Sequence, residues 1–126
     1  MSKTTSYRLG IEVEIEARKG ADFQRRFHTQ VYSGDTVVDY DLSVWTGATL
    51  EVRRKPSSPI SELTFNTSDS TIVLGDNGRF DLIMNAENMN GIRAGEYEYD
   101  MYLTNDSTSK RDFMYGKFII SDRITR

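Results

Sequence analysis

The sequence predicts an all-β fold of about eight or nine short antiparallel strands, a sandwich or a barrel. Three observations carry that expectation. Apolar residues recur at every second position over most of the chain, the period of a half-buried strand. Clusters of Gly, Asn, Asp, Ser and Pro punctuate these runs at short intervals, and no apolar pattern of helical period persists long enough for a long helix. No repeat of fixed period is present, which excludes solenoids and propeller arrays.

From Tyr7 to Ile15 the odd positions Tyr7, Leu9, Ile11, Val13 and Ile15 are apolar, while Arg8, Glu12, Glu14 and Glu16 take the other face of a half-buried strand. Gly20 turns the chain. Residues Ala21 to Tyr32 read as a second strand, with Phe23, Phe27 and Val31 on one face and Gln24, Arg26, His28 and Gln30 on the other. Arg25 interrupts the apolar face and marks an edge or rim. Ser33-Gly34-Asp35 is a turn, followed by a short extended segment over Val37 to Leu42. Ala48, Leu50 and Val52 then alternate with Thr49, Glu51 and Arg53 in a strand that Pro56 and Pro59 end, because proline cannot continue a ladder.

The second half repeats the pattern at closer spacing. Leu63 and Phe65 mark a short strand, Asn66 to Asp69 a turn, Ile72 and Leu74 another short strand, and Gly75-Asp76-Asn77-Gly78 a tight connection into the alternating run Phe80 to Met84. Residues Ala86 to Ile92 form one helical turn that plugs an end of the sandwich, with Met89 and Ile92 three apart and Gly91 stopping the helix. Ala94-Gly95 launches a strand in which Tyr97, Tyr99, Met101 and Leu103 share a face. Asn105 to Arg111 is a hairpin loop, and Asp112 to Ser121 returns as the last strand. That strand is apolar on both faces, with Phe113, Tyr115 and Ile119 on one and Met114, Phe118 and Ile120 on the other. A central strand, a strand covered by its own loops, and a strand that meets a partner all fit that pattern.

At 126 residues the chain is expected to form one domain over residues 7–126, preceded by a flexible amino-terminal arm over residues 1–6. The absence of cysteine removes a disulfide framework and any thiolate metal site, and fits folding in a reducing cytoplasm. The polar amino terminus carries neither a secretory signal nor a transmembrane helix, so no membrane partner is expected. A net charge of −3 argues against nucleic-acid binding by phosphate neutralisation. The one basic cluster, Arg53-Arg54-Lys55, reads as a solvated strand end.

Groups that would carry chemistry are sparse. His28 is the only histidine and lies on a polar strand face, so a Ser-His-Asp arrangement has one poor anchor. Asp35, Asp39 and Asp41 could be imagined around calcium, but the spacing lacks the glutamate that closes a calcium-hand loop. Glu12, Glu14 and Glu16 form a row on one face, more simply read as a solubilising edge than as a glycosidase pair. No phosphate-cradling glycine loop is present. The expectation is therefore no enzyme, no catalytic residue, no metal and no cofactor. Trp45, ahead of a Thr-Gly turn, reads as a core plug or loop anchor, with an interface contact as the alternative.

Two resemblances add to this reading. The stretch Ala94-Gly95-Glu96-Tyr97-Glu98-Tyr99 resembles the corner between the fifth and sixth strands of an immunoglobulin-type sandwich. It implies a single immunoglobulin-like β-sandwich of two sheets rather than a barrel, with Gly95 and Tyr97 as the structural corner, the Tyr97 hydroxyl returning to the corner backbone. Tyr99 stands where antibody domains place a cysteine, so packing alone must join the sheets. The ordered set Asp41-Leu-Ser-Val-Trp-Thr-Gly-Ala-Thr-Leu-Glu-Val-Arg53, Phe65-Asn-Thr-Ser-Asp-Ser-Thr-Ile72, Ala94-Gly-Glu-Tyr-Glu-Tyr-Asp-Met101, Tyr115-Gly-Lys-Phe-Ile-Ile120 and Arg123-Ile-Thr-Arg126 is similar to small virion-associated proteins of tailed bacteriophages. Related domains begin phage baseplate and fibre proteins, and the expectation for this chain is a sandwich without an attached fibre, hydrolase or receptor-binding domain.

That second resemblance implies a non-enzymatic structural protein, an assembly or adaptor component of neck, tail or baseplate, made in the host cytoplasm and located in the virion. Its partners would be other phage structural proteins and further copies of itself. Capsid decoration is the alternative, and a free carbohydrate-binding module presenting Tyr32, Trp45 and Tyr102 is the second. The residues expected to meet a partner are those that break simple alternation: Arg25, Trp45, Tyr102, Met114 and Phe118, with the loops Arg54 to Ser61 and Asn105 to Arg111.

Overall fold

The computed structural model describes residues 11–55, 58–105 and 110–122. The expected arm at residues 1–6, the start of the first strand at Tyr7, Pro56, and the terminal Arg123 to Arg126 lie outside the described residues. The strands are β1 (Ile11–Glu12), β2 (Ile15–Arg18), β3 (Phe23–His28), β4 (Gln30–Ser33), β5 (Thr36–Asp39), β6 (Gly47–Arg53), β7 (Leu63–Asn66), β8 (Ile72–Leu74), β9 (Arg79–Met84), β10 (Gly95–Thr104) and β11 (Lys110–Ser121). A 3-10 turn covers Leu42–Val44, and one short helix, α1, covers Ala86–Asn90.

Two sheets face each other, and a two-stranded ribbon stands apart. The larger sheet runs β1-β11-β10-β6-β7, with β2 also on β11; the smaller runs β3-β9-β8; β4 and β5 form the ribbon. With β3, β9 and β8 as the B, E and D strands and β11, β10, β6 and β7 as G, F, C and C′, the order is that of an immunoglobulin-like sandwich.

The structure corrects the strand inventory in three places. The first predicted strand is two short ones, because the chain steps at Val13-Glu14, and both run parallel to β11 rather than antiparallel. The second breaks at Thr29: β3 stays in the small sheet while β4 leaves it to pair with β5. In the last strand Met101 lies opposite Met114 but Tyr102 opposite Asp112, so Phe113 is an extra residue bulged out of the ladder. The bulge turns both Phe113 and Met114 inward, which explains apolar residues at consecutive positions without a partner.

Alternation along each strand delivers one face to a common core. In β6 the order is half-buried then buried throughout, with Ala48, Leu50 and Val52 inside; β10 does the same with Tyr97, Tyr99, Met101 and Leu103. Phe118 packs against Phe23 with ring centroids 5.9 Å apart, Phe65 at 6.2 Å and Tyr99 at 6.3 Å, so rings from both sheets meet on it. A second aromatic group, Phe27, Phe80, Phe113 and Tyr40, fills the end beneath the ribbon. Among the described residues no polar or charged one is fully buried. Without a disulfide the sheets are joined by this burial, about 2–3 kcal/mol for each large apolar side chain.

The helix plugs the opposite end as expected. The Asn85 side chain accepts from the Asn88 amide at 2.8 Å as the N-cap, and Met89 is fully buried. Lys19 donates to the carbonyls of Asn90 at 2.7 Å and Ile92 at 2.9 Å, satisfying acceptors that the helix end leaves open. The turn into β9 has Asn77 at φ +59 and Gly78 at φ +76, the two positive angles that a tight hairpin of this type requires.

Candidate interaction surface

The corner forms as its sequence implies. The Tyr97 hydroxyl donates to the Arg93 carbonyl at 2.6 Å, and Gly95 takes φ +153, a conformation other residues avoid. Tyr99, in the place of a sandwich cysteine, makes a different tie: its hydroxyl donates to the Val13 carbonyl at 2.6 Å, clamping the step between β1 and β2 onto the sheet. Burial, reinforced by the negative charge of Glu12, pushes this hydroxyl far above the ordinary tyrosine range, so it remains a donor at physiological pH. Gly116 completes the clamp. A Cβ there would come within 2.5 Å of the Val13 oxygen.

The residues expected to meet a partner divide. Phe118 is fully buried and Met114 nearly so, which corrects both assignments: they face the inter-sheet core because the bulge sets the phase of β11. Arg25 is exposed at the rim, where β3 is an edge strand; it donates to the Glu16 carbonyl at 3.0 Å and covers the Phe23 ring. Trp45 is half-buried against the core and donates to the Tyr40 hydroxyl at 3.3 Å, the loop-anchor geometry. Tyr102 is half-buried on the outer face of the large sheet, with the Lys110 ammonium 4.1 Å from its ring centre.

Groups weighed for chemistry are engaged locally. His28 Nε2 lies 2.7 Å from Asp39 Oδ1, which holds the Asp39 carboxyl below the usual carboxylate range, with a further bond from Gln30. Asp41 caps the 3-10 turn through the Ser43 hydroxyl and amide, which likewise lower it. Glu12, Glu14 and Glu16 are exposed, but the step at Val13-Glu14 breaks the single row read from the sequence. Among the described residues no group of three or more His, Cys, Asp or Glu side chains is placed to hold a metal. The outer faces carry ion pairs instead: Arg26 with Asp81 at 2.8 Å, Arg53 with Glu51 and Asp100, and Lys117 with Glu96 and Glu98. A cleft of about 170 Å³ lined by Arg53, Glu98, Tyr99, Asp100 and Tyr115 opens on the large sheet.

Sequence reasoning placed the Ser33-Gly34-Asp35 turn and the extended segment after it but missed that the connection from β3 to β6 leaves both sheets as a separate ribbon. Over residues 29–46 the chain leaves the two sheets as the β4–β5 ribbon, turns at Gly34 with φ +67, and returns to the core through Tyr40 and the 3-10 turn, where Leu42 is buried. Every residue of β5 is exposed, including the adjacent Val37 and Val38, which point to opposite faces of the ribbon. Val44, in the 3-10 turn, is exposed as well. The base, however, is fixed. Thr29 donates to the Gly78 carbonyl at 2.8 Å, Tyr40 donates to the Thr29 carbonyl at 2.9 Å, and any side chain at Gly78 would collide with the Thr29 oxygen. The signal for this arm was present as two consecutive valines between a Gly-Asp turn and an aspartate, too short a run to separate a ribbon from a strand end.

No protein-family model and no curated protein matches the sequence. Among solved structures, the crystal structure of CopC from Methylosinus trichosporium OB3b is similar over 96% of this chain and 92% of that chain, at 9% identity and a TM-score of 0.42. The sandwich assignment rests on the strand order and register described above.

Proposed function

We propose that this chain is a non-enzymatic structural protein of a tailed-bacteriophage virion, an assembly or adaptor component of neck, tail or baseplate. The observation that carries the reading is the arm at residues 29–46: a ribbon fixed at its base that leaves valines exposed on both faces. An isolated two-stranded ribbon is marginal in water, and exposed apolar side chains on it gain most when a neighbour covers them. The motif resemblance supplies the setting, because a virion protein spends its working life against neighbours. Its partners are other phage structural proteins and further copies of itself, and its contacts are made by loops and sheet faces without chemistry.

Quantitative mass spectrometry of purified particles tests this proposal. A copy number on the order of ten, as closed rings of subunits give, supports the neck, tail or baseplate role. Stoichiometry matching the major shell protein favours capsid decoration instead, and absence from particles refutes the virion reading.

A further inference from the structure

We infer that copies of this chain associate head to tail, the arm of one copy seating beside Arg54, Lys55 and Ile60 of the next. The inference deepens the assembly reading by naming a partner and two surfaces. Both surfaces are anchored on one strand. The arm enters β6 at Gly47, and the loop carrying Arg54, Lys55 and Ile60 leaves it after Arg53, so they stand at opposite ends of a seven-residue strand, about 20 Å apart. No copy can close the contact on itself.

Each surface has an exposed apolar element and an excess of one sign of charge. On the arm, Val37, Val38 and Val44 are 47%, 40% and 60% exposed; on the loop, Ile60 is 67% exposed. From Thr29 to Thr46 the chain carries Asp35, Asp39 and Asp41 and neither lysine nor arginine, whereas Arg53 to Glu62 carries three cations and one acid. Lys55 is exposed, and Arg54 is only loosely tied to Glu62 at 3.7 Å. Charges nearby reduce the contrast: Asp39 is paired with His28 and lies near Arg79, and Arg53 is paired with Glu51 and Asp100, which leaves Asp35 and Asp41 on the arm and Arg54 and Lys55 on the loop to carry it.

The signs select the pairing. An arm seated on a second arm, or a loop on a second loop, sets aspartates on aspartates or cations on cations, which is unfavourable. Arm against loop sets opposite charges together and covers apolar residues on both partners. Because the two surfaces stand at opposite ends of β6, a head-to-tail contact leaves one arm and one loop free and so propagates into a ring or a stack, whereas a reciprocal two-fold pair would stop at a dimer. A ribbon on a loop is smaller than a standard interface of about 1,600 Å², so the free chain associates weakly and in a salt-sensitive way.

Sedimentation velocity over concentrations up to about 1 mM, at low and high salt, reads this directly. The wild type should sediment faster as concentration rises, and added salt should suppress the effect. An arm variant, Gln30→Lys with Asp35→Lys and Thr36→Lys, and a loop variant, Arg54→Glu with Lys55→Glu, should each associate at least about tenfold more weakly. Their equimolar mixture should recover association, because every arm then faces a loop of opposite sign. All five positions lie at exposed or turn sites, so thermal melting of each variant should match the wild type, and the salt dependence of the wild type provides a readout that needs no variant. A wild type that stays monomeric throughout or stops at a dimer, variants that associate like wild type, or a mixture that fails to recover would each overturn the inference. Head-to-tail association by a protein absent from phage particles would leave the inference standing and remove the virion role; the reverse pair of results would do the opposite.

Discussion

Replacing Phe118 by alanine separates a core residue from a partner contact. The ring is fully buried and touches Phe23, Phe65 and Tyr99, so truncation removes its transfer free energy and opens a cavity that three rings cannot collapse to fill. Phe→Ala at such a site costs about 3–5 kcal/mol. For a domain of 126 residues that is a large share of a total stability of about 6–19 kcal/mol. Urea unfolding followed by the fluorescence of Trp45, the only tryptophan, measures the loss, and Phe118→Leu supplies a milder companion that keeps part of the volume. The expected result is a lower midpoint with an unchanged slope, Leu falling between wild type and Ala. A cost under about 1 kcal/mol for Ala, accompanied by lost self-association, would refute the packing argument and return Phe118 to the surface.

Three further outcomes follow from the geometry. Tyr97→Phe deletes the donor to the Arg93 carbonyl while keeping the ring, and should cost about 1 kcal/mol by urea unfolding; no change would mean that the corner bond contributes nothing. Gly116→Ala forces a Cβ toward the Val13 oxygen at φ +147, and hydrogen exchange should report loosened amides at Val13 and along β2 while β9 stays protected. Asp39 and Asp81 have carboxyls lowered by His28 and Arg26 respectively, so each stabilises the fold above the unfolded carboxylate pKa of about 3.9, and that contribution is lost as pH falls through the lowered folded values. Exchange protection at Thr29 and Tyr40 should therefore decline as pH falls below about 4, a loss that Asp39→Asn reduces; protection unchanged between about pH 5 and pH 3 would contradict this assignment.

Much of the sandwich was legible because its determinants are local. Alternation in β6, β9 and β10 depends on side chains two apart, Tyr97 and its acceptor are four apart, and the Asn77-Gly78 turn and the Asn85 cap close within a few residues. Features that depend on a distant strand were not legible. The bulge at Phe113 exists only relative to the register of β10, and the parallel pairing of β1 and β2 with β11 joins the two ends of the chain, with no residue type that announces it. Phe118 and Met114 were misplaced for that reason: two apolar faces were counted where one inward face shifts phase. Arg25 was read correctly as a rim residue because a charge on an inward position is tolerated only at an edge. The arm was half legible, since its turn and valines stood out, but detachment from the sheet depends on where β3 loses its partner.

The central claim is that this sandwich works as an assembled part of a phage particle, and its copy number in purified virions measures that most directly. Quantitative mass spectrometry against the major capsid protein should return a count on the order of ten, in step with a ring at the neck, tail or baseplate. Absence from washed particles, with the protein recovered only in the soluble lysate, would contradict the account.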